Sequence, residues 1–247
     1  MSFKSILRVL SLSAALALPQ AAAVKAAPSA ADAGGGTRGE AAPGKPRDGS
    51  DDVVGKLSLA ARLAVQGRKA NSPIELAAAA EIYATNAVKD AKQDKTSEGG
   101  AAPAAGAEPV PFPDFNAADL FAEAAASARS ASDETLAAAI EQRARNLVSR
   151  PPVYGRGGRH RDRVNPHTTD VYKIRFRGGE LARATVIADD GYDLDLFVYG
   201  DDGALVAYAN DGSGISVCSW APDSTRIYTL KVNNTTDSFV GYLVYTN

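Results

Sequence analysis

The carboxyl-terminal part of the chain, residues 169–247, alternates apolar and polar side chains in short runs separated by turn residues. Successive side chains of a strand point to opposite faces, so this period of two gives each run one apolar and one polar face. Short strands at this spacing, with no helical pattern between them, are typical of a β-sandwich or a barrel. We therefore predict that residues 169–247 form an antiparallel β-sandwich.

The apolar positions between successive turns define the predicted strands. These strands are 170–176, 181–188, 193–199, 205–209, 215–220, 226–232 and 239–246. Alternation along the last two strands brings five apolar side chains into a shared core. These are Tyr228, Leu230, Val232, Tyr242 and Val244.

The chain contains a single cysteine, Cys218, so no internal disulfide can hold the sandwich together. We expect residues 169–247 to fold on the packing of their core alone. Cys218 alternates with Ser216 and Trp220, which predicts a small buried side chain. A disulfide to a second molecule is the alternative.

Seven aspartates, and no lysine or arginine, lie between residues 189 and 211. They are Asp189, Asp190, Asp193, Asp195, Asp201, Asp202 and Asp211. Calcium takes roughly six to eight oxygen ligands, so carboxylates from neighbouring turns can form a calcium site. Turns also form without metal, because Asp accepts hydrogen bonds from nearby backbone and Gly adopts positive φ. Both interpretations stay open: turn chemistry alone, or a weak Ca²⁺ site.

The amino end has the pattern of a secretory signal peptide, in which two basic residues precede the apolar run 9–18 and small residues follow it. We predict removal of residues 1–23, with cleavage near Ala23 or Ala26, and a periplasmic or secreted protein. Residues 24–51 are predicted to be a disordered leader, because positions 27–50 have no large apolar side chain. No other segment has the roughly 20 apolar residues of a membrane span, so no transmembrane segment is expected.

Residues 52–149 have the pattern of alanine-rich helices, interrupted by an Ala, Gly and Pro linker at 96–113. The first helix is predicted to begin at Val53 and to end at Gly67. The pattern as a whole predicts four helices arranged in two hairpins. Such hairpins are more typical of a packing or oligomerisation unit than of a catalytic scaffold, and the oligomeric state stays open.

Three polar residues have the spacing of helix N-caps. Ser72, with Pro73 and Glu75 behind it, forms the pattern of a capping box. Asn116 and Ser132 precede two further apolar runs. The 60-residue spacing of Ser72 and Ser132 indicates a duplicated hairpin.

Residues 150–168 are rich in arginine and are predicted to be a linker between the helices and the sandwich. Four of its arginines have two possible roles. They belong to a solvated hinge, or they contact an acidic surface. That surface would be a phosphorylated glycan, the edge of a membrane or the acidic turns of the chain's own sandwich. The four arginines are Arg156, Arg159, Arg161 and Arg163. His160 and His167 have no Cys or Glu beside them, so no zinc site is expected.

Four of the predicted strands have distinctive sequences: 170–176 (DVYKIRF), 193–199 (DLDLFVY), 226–232 (RIYTLKV) and 239–245 (FVGYLVY). Together they resemble the bacterial pre-peptidase C-terminal (PPC) domain over about a third of the chain. The resemblance implies a jelly-roll β-sandwich that serves secretion, substrate adherence or regulation of a catalytic domain. For some members it also implies calcium held by acidic residues at strand ends.

The chain departs from that family at two places. No acidic residue lies on the strand 215–220, and Pro222-Asp223 replaces the glycine that precedes the tyrosine of the next strand. Both departures weaken the implication of calcium binding.

No catalytic motif accompanies the sandwich: the chain has no His-Glu-x-x-His and no Gly-x-Ser-x-Gly. Removing residues 1–23 leaves 25 Lys plus Arg (27 − 2) against 29 Asp plus Glu, and this net charge of −4 argues against nucleic-acid binding. We predict a non-enzymatic accessory protein that binds an envelope or secreted protein.

Two alternatives stay open. In a calcium-dependent carbohydrate-binding module, Phe197 and Tyr199, which share a face of one strand, would stack on sugar rings. In the non-enzymatic accessory protein predicted above, Phe197 and Tyr199 would instead form a second core layer against the helices. A hydrolase would draw on Asp193, Asp195 and His167.

Overall fold

A computed structural model describes residues 52–100, 102, 112–113, 115–188 and 192–247 of the chain. The predicted signal peptide and leader, residues 1–51, lie outside the described residues. The helices are α1 (Val53–Ala70), α2 (Pro73–Thr85), α3 (Ala117–Ser130) and α4 (Glu134–Val148). The strands are β1 (Asn86–Asp90), β2 (Lys95–Gly99), β3 (Val153–Val164), β4 (Thr168–Phe176), β5 (Ala182–Ala188), β6 (Leu194–Tyr199), β7 (Leu205–Ala209), β8 (Ile215–Trp220), β9 (Arg226–Asn234) and β10 (Val240–Thr246).

Two of the predicted helix N-caps are confirmed. Ser72 Oγ accepts a hydrogen bond from the Glu75 amide at 3.4 Å, and Asn116 Oδ1 accepts one from the Ala118 amide at 2.8 Å. Each bond satisfies an amide that has no partner within the first turn of its helix. Among the described residues, no helix combines the length and the apolar character needed to cross a membrane.

The cap of α4 is Asp133, and the prediction of Ser132 was wrong. Asp133 Oδ1 accepts a hydrogen bond from the Leu136 amide at 2.9 Å. Ser132 has a φ of 61°, so it lies in the left-handed region that ends the preceding helix.

The turns of the two helical hairpins have the same geometry. Asn71 (φ 49°) ends α1 as Ser132 (φ 61°) ends α3. In each turn the following amide donates to a carbonyl five positions back, that of Gly67 at 2.8 Å and that of Ala128 at 3.0 Å. Equivalent positions are therefore 61 residues apart, from 71 to 132, rather than 60, and α1 continues past its predicted end at Gly67.

The strands form two five-stranded sheets. Sheet A has the order β1-β3-β10-β5-β8, and sheet B has the order β2-β4-β9-β6-β7. The antiparallel pairs β3–β10, β4–β9, β5–β8 and β6–β7 are nested within one another. Nested antiparallel pairs arise when one long hairpin folds over into a jelly roll. The predicted α + β class with a jelly-roll-like sandwich is therefore confirmed.

Residues 150–168, predicted to be a linker, instead contain strand β3. It pairs with β10 on one side and with β1 on the other. Along β3 the basic side chains point outward, while His160 and Val164 are buried, at 6% and 0% exposure. The period of two was present in the sequence, but its outward positions carry arginine in place of neutral polar residues, which gave the segment the composition of a linker.

The helical region also contributes strands to both sheets. Residues 86–99 leave α2, form β1 at the edge of sheet A and then form β2 at the edge of sheet B. The sequence predicted a charged helix end here, followed by the linker 96–113. The β2 sequence, KTSEG, has no apolar residue, so its strand conformation comes from antiparallel pairing with β4.

Among the described residues, three apolar clusters hold these layers together. The sandwich core contains all five side chains predicted for it, each at 1% exposure or less. A second, alanine-rich cluster joins the four helices. The third lies between α1 and the outer face of sheet A, where Val54 and Leu57 pack against Ile187, Leu243 and Tyr245.

Cys218 is buried in the sandwich, at 2% exposure, as its alternation in β8 predicts. Its Sγ lies 3.7 Å from the Leu196 carbonyl oxygen, to which it donates a weak hydrogen bond. Burial raises the pKa of the thiol to about 12. The thiol is therefore protonated at neutral pH and is not accessible to a second molecule, which argues against the alternative of an intermolecular disulfide.

Candidate functional site

The helices cover one of the two sheets. α1 packs on the outer face of sheet A, and within the described part of the chain no helix packs on the outer face of sheet B. We refer to five outward-pointing, half-buried side chains on the neighbouring strands β9, β6 and β7 of sheet B as the open face. They are Asp195, Phe197 and Tyr199 on β6, Tyr208 on β7 and Lys231 on β9.

Strand register brings the open-face side chains together. Phe197 lies opposite Lys231 on one side and opposite Tyr208 on the other. The Phe197 and Tyr208 rings are 6.3 Å apart between centroids and inclined by 20°. The Lys231 ammonium lies 5.8 Å from the Tyr199 centroid and also bonds Glu98 on β2 at 2.7 Å. The open face therefore carries a row of aromatic rings beside the Lys231 ammonium, which is hydrogen-bonded to Glu98.

The prediction that Phe197 and Tyr199 share a face opposite the buried Leu194, Leu196 and Val198 agrees with the burial pattern of β6. The interpretation of the two aromatic residues as a core layer against the helices was wrong, because the helices pack on sheet A. The sequence did not identify Tyr208 and Lys231 as members of the same surface. Their positions depend on the order and register of strands that are distant along the chain.

The acidic turns divide into aspartates with turn roles and aspartates without them. Asp202 Oδ1 accepts from the Ala204 amide at 3.0 Å, and Asp211 Oδ1 accepts from the Ser213 amide at 3.1 Å. The hydrogen bonds from Ser213 lower the pKa of Asp211. Asp201 instead forms an ion pair with Arg226 at 3.1 Å. The turn interpretation therefore accounts for Asp202 and Asp211, and the ion pair accounts for Asp201.

Asp193 has no such role. Its Oδ1 atom is buried and has no hydrogen-bond partner in the described structure. Desolvation raises the pKa of Asp193, and the charges of Asp195 and Asp211 raise it further. Asp195 Oδ2 accepts a long hydrogen bond, 3.4 Å, from Asn233.

The described residues contain no group of three or more His, Cys, Asp or Glu side chains arranged to hold a metal ion. Asp189 and Asp190, the other two proposed calcium ligands, lie outside the described residues. Within the described part of the chain, the charges of Asp195 and Asp211 act on Asp193, so these three carboxylates remain near one another.

Among the described residues, the contacts of the β3 arginines go to residues outside the acidic turns. Arg156 pairs with Glu180 at 3.2 Å, and Arg159 pairs with Asp90 of β1 at 2.7 Å. Arg161 and Arg163 stack on the ring of Phe112, with 4.2 and 4.3 Å from each guanidinium carbon to the centroid.

The two histidines occupy different environments. His160 is buried beside Tyr172, and desolvation lowers the pKa of its imidazole. His167 is exposed and bonds Asp237 at 2.7 Å. The hydrolase alternative required His167 to act with Asp193 and Asp195, but its hydrogen bond goes to Asp237.

A buried polar network that the sequence did not predict joins β2 to the sandwich. Asp170, at 1% exposure, accepts hydrogen bonds from Lys95, Ser97 and Tyr242 at 2.7, 2.6 and 2.7 Å. The Lys95 ammonium also donates to Asp162 and to a backbone carbonyl, both at 2.6 Å. All three ammonium donors are therefore used, and the charge of Asp170 is balanced inside the fold.

Comparison with known proteins gives a structural similarity but no family. No family model matches the chain, and no curated protein matches it. A solved structure described as a de novo designed double-stranded beta-helix, determined by solution NMR, is 15% identical, with 36% of this chain and 97% of that chain covered and a TM-score of 0.24. A likeness at that TM-score carries no argument about fold or function.

Proposed function

We propose that the chain is an exported, non-catalytic accessory protein whose PPC-like sandwich binds a protein partner at the cell envelope through the open face. The observation that carries the proposal is the row formed by Phe197, Tyr208 and Lys231 on a sheet that no described helix covers. Aromatic residues are enriched in protein interfaces, and a few such anchors carry most of the binding energy.

The layered architecture supports the same proposal. The helices bury the outer face of sheet A and leave the aromatic face of sheet B available, so the helical region stabilises the sandwich without covering the surface proposed to bind. The predicted signal peptide at residues 1–23 and the resemblance to the pre-peptidase C-terminal domain support export and an accessory role.

We expect the double substitution Phe197→Ala and Tyr208→Ala to weaken binding of the protein to isolated envelopes of the producing organism at least tenfold. Each truncation removes an anchor worth about 1 to 2 kcal/mol in a typical interface. Cosedimentation of purified protein with the envelopes measures the effect. Tyr154→Ala, which removes a tyrosine that is 59% exposed on β3, is the matched control and should bind normally.

Treating the envelopes with protease separates the candidate partners. Loss of binding after protease supports a protein partner. Binding that survives protease, and that soluble polysaccharide competes away, assigns the open face to a glycan instead. If the double variant binds as well as the unsubstituted protein, the open face is not the binding surface and the proposal fails.

A calcium-dependent carbohydrate-binding module is the second candidate, and the unpartnered Oδ1 atom of Asp193 favours it. A cation near Asp193 would relieve its repulsion with Asp195 and Asp211. Asp193 immediately precedes β6, the strand that carries Phe197 and Tyr199, so an ion there would order the end of the aromatic row.

In the presence of EDTA at neutral pH, we expect Asp193→Asn to raise the melting temperature. A raised carboxyl pKa means that the folded state disfavours the ionised form, so this residue's contribution is most favourable in acid and is lost as pH rises through its folded pKa. Added calcium should raise the melting temperature of the unsubstituted protein with concentration, and that of Asp193→Asn much less.

Asp201→Asn is the control for this experiment, because Asp201 is paired with Arg226. It should respond to calcium as the unsubstituted protein does. If saturating calcium leaves the melting temperature unchanged, the aspartates serve turns and ion pairs only, and the second candidate is excluded.

A further inference from the structure

Two arginines of β3 stack on one aromatic ring. Arg161 and Arg163 are two positions apart on the strand, so their side chains point to the same face of it. Their guanidinium carbons lie 4.2 and 4.3 Å from the centroid of the Phe112 ring. Stacking uses the face of a guanidinium and leaves the N–H donors at its edge available. Phe112 therefore holds two cations close together, with their donors available to a ligand.

These two arginines differ from the other two arginines of the strand. Arg156 and Arg159 each pair with a carboxylate, that of Arg159 being Asp90 at 2.7 Å. The pKa of Asp90 is lowered by this hydrogen bond and also by the charge of Arg161. Within the described residues, however, Arg161 and Arg163 form no ion pair of their own, although both are exposed. Two like charges at this separation repel each other, and an anion in contact with both would remove the repulsion.

A cleft of about 430 Å³ opens beside the two arginines. Arg161, Arg163 and Phe112 line it, and so do Asn165 and Phe239. The space is that of many water molecules, since one takes roughly 30 Å³ of liquid. The cleft is polar and open to solvent, so a small hydrophilic ligand can reach the arginines directly.

Two carboxylates also line this cleft, and both are bound to Lys95. Its ammonium lies 2.6 Å from Asp162 and 2.7 Å from Asp170. Asp162 points to the opposite face of β3 from Arg161 and Arg163, because neighbouring side chains of a strand alternate. The lining as a whole carries three cations against these two carboxylates. The excess positive charge therefore lies on the side of the two arginines.

The hydrogen-bonding capacity of the arginine pair selects the class of anion. A guanidinium edge donates two parallel N–H bonds to one anion, so a single arginine is enough for the two oxygens of a carboxylate. A phosphoryl group has three acceptor oxygens and about −1.5 to −2 charges at pH 7. Two guanidiniums held together therefore fit a doubly charged oxyanion better than a carboxylate.

We propose that Arg161 and Arg163 bind a phosphate or sulfate group between their guanidinium edges, at the mouth of this cleft. The group is a free ion or the substituent of a larger molecule such as a phosphorylated saccharide. The remainder of a larger ligand would lie in the cleft, against Asn165 and Phe239. The site is on sheet A and the open face is on sheet B, so this inference goes beyond the proposed function and does not depend on it.

Isothermal titration of the protein with inorganic phosphate, sulfate and glucose 6-phosphate tests the proposal. The buffer contains about 100 mM NaCl, in which attraction between charges is screened beyond about 10 Å. All three anions should bind with saturation, and glucose should not bind. Arg161→Gln and Arg163→Gln should each weaken the binding about tenfold, the effect of losing a charge-assisted hydrogen bond. Arg175→Gln, which removes the same charge from an exposed position on β4, is the matched control and should bind normally.

The three ligands also separate the two sources of the oxyanion. If phosphate and sulfate bind as tightly as glucose 6-phosphate, the site recognises the oxyanion alone. If glucose 6-phosphate binds at least about fivefold more tightly, an energy of about 1 kcal/mol, the sugar contacts the cleft and the ligand is a phosphorylated saccharide.

Two results would overturn the proposal. The first is the absence of saturable binding of all three anions up to about 10 mM. The second is a loss of binding in Arg175→Gln as large as that in Arg161→Gln, because the protein would then attract anions only through its general surface charge. Each of these variants changes one exposed side chain, so circular dichroism should show an unchanged fold.

Discussion

The fragment 169–247, produced alone, is expected to show no cooperative unfolding transition, although it contains most of the sandwich strands. It lacks β3, which forms seven register pairs with β10 through residues 158–164. All seven residues of β10 are buried, so removing β3 exposes a central strand and leaves its backbone donors and acceptors without partners. Val164, at 0% exposure, is also lost from the core.

Circular dichroism and thermal melting of three fragments test this prediction. Fragment 52–247 should melt in one transition, because it contains every described strand. Fragment 150–247 restores β3 but lacks β1, β2 and the buried network, so it should melt at a lower temperature. If fragment 169–247 melts cooperatively at a temperature close to that of fragment 52–247, the sandwich does not depend on β3. That result would support the sequence-based expectation that residues 169–247 fold independently.

Lys95→Met is expected to lower the free energy of unfolding by about 3 kcal/mol, because it leaves the Asp170 carboxylate buried without its cation. Lys95 and Asp170 lie 2.7 Å apart, and their side chains are 23% and 1% exposed. Urea denaturation followed by tryptophan fluorescence measures the change, since Trp220 lies in the sandwich core.

Two further variants show whether the loss comes from the unpaired charge. Adding Asp170→Asn to Lys95→Met should recover part of the stability, because the buried charge is removed, the amide oxygen accepts a hydrogen bond from one of the Ser97 and Tyr242 hydroxyls, and the NH2 group can donate to the other. Lys173→Met, an exposed substitution on the same sheet, should change the free energy of unfolding by less than about 0.5 kcal/mol. If Lys95→Met lowers the free energy of unfolding no more than Lys173→Met does, the buried network does not hold β2 against the sandwich.

The candidate site could be predicted only in part. Alternation along one strand placed Phe197 and Tyr199 on the face opposite Leu196, because the period of two is a local property of the backbone. The partners of Phe197 on the open face, Tyr208 and Lys231, come from strands 11 and 34 positions further along the chain. No local pattern specifies which strands become neighbours.

The same division applies to the whole protein. The sequence alone determined the positions of most strands of the sandwich, the caps at Ser72 and Asn116 and the burial of Cys218, because periodicity and capping depend on residues close along the chain. Only the tertiary structure decided that β3 and the residues 86–99 belong to the sheets, and that the helices cover one sheet and leave the other open. These features depend on hydrogen bonds and packing between distant segments, where the partner rather than the local side chains selects the conformation.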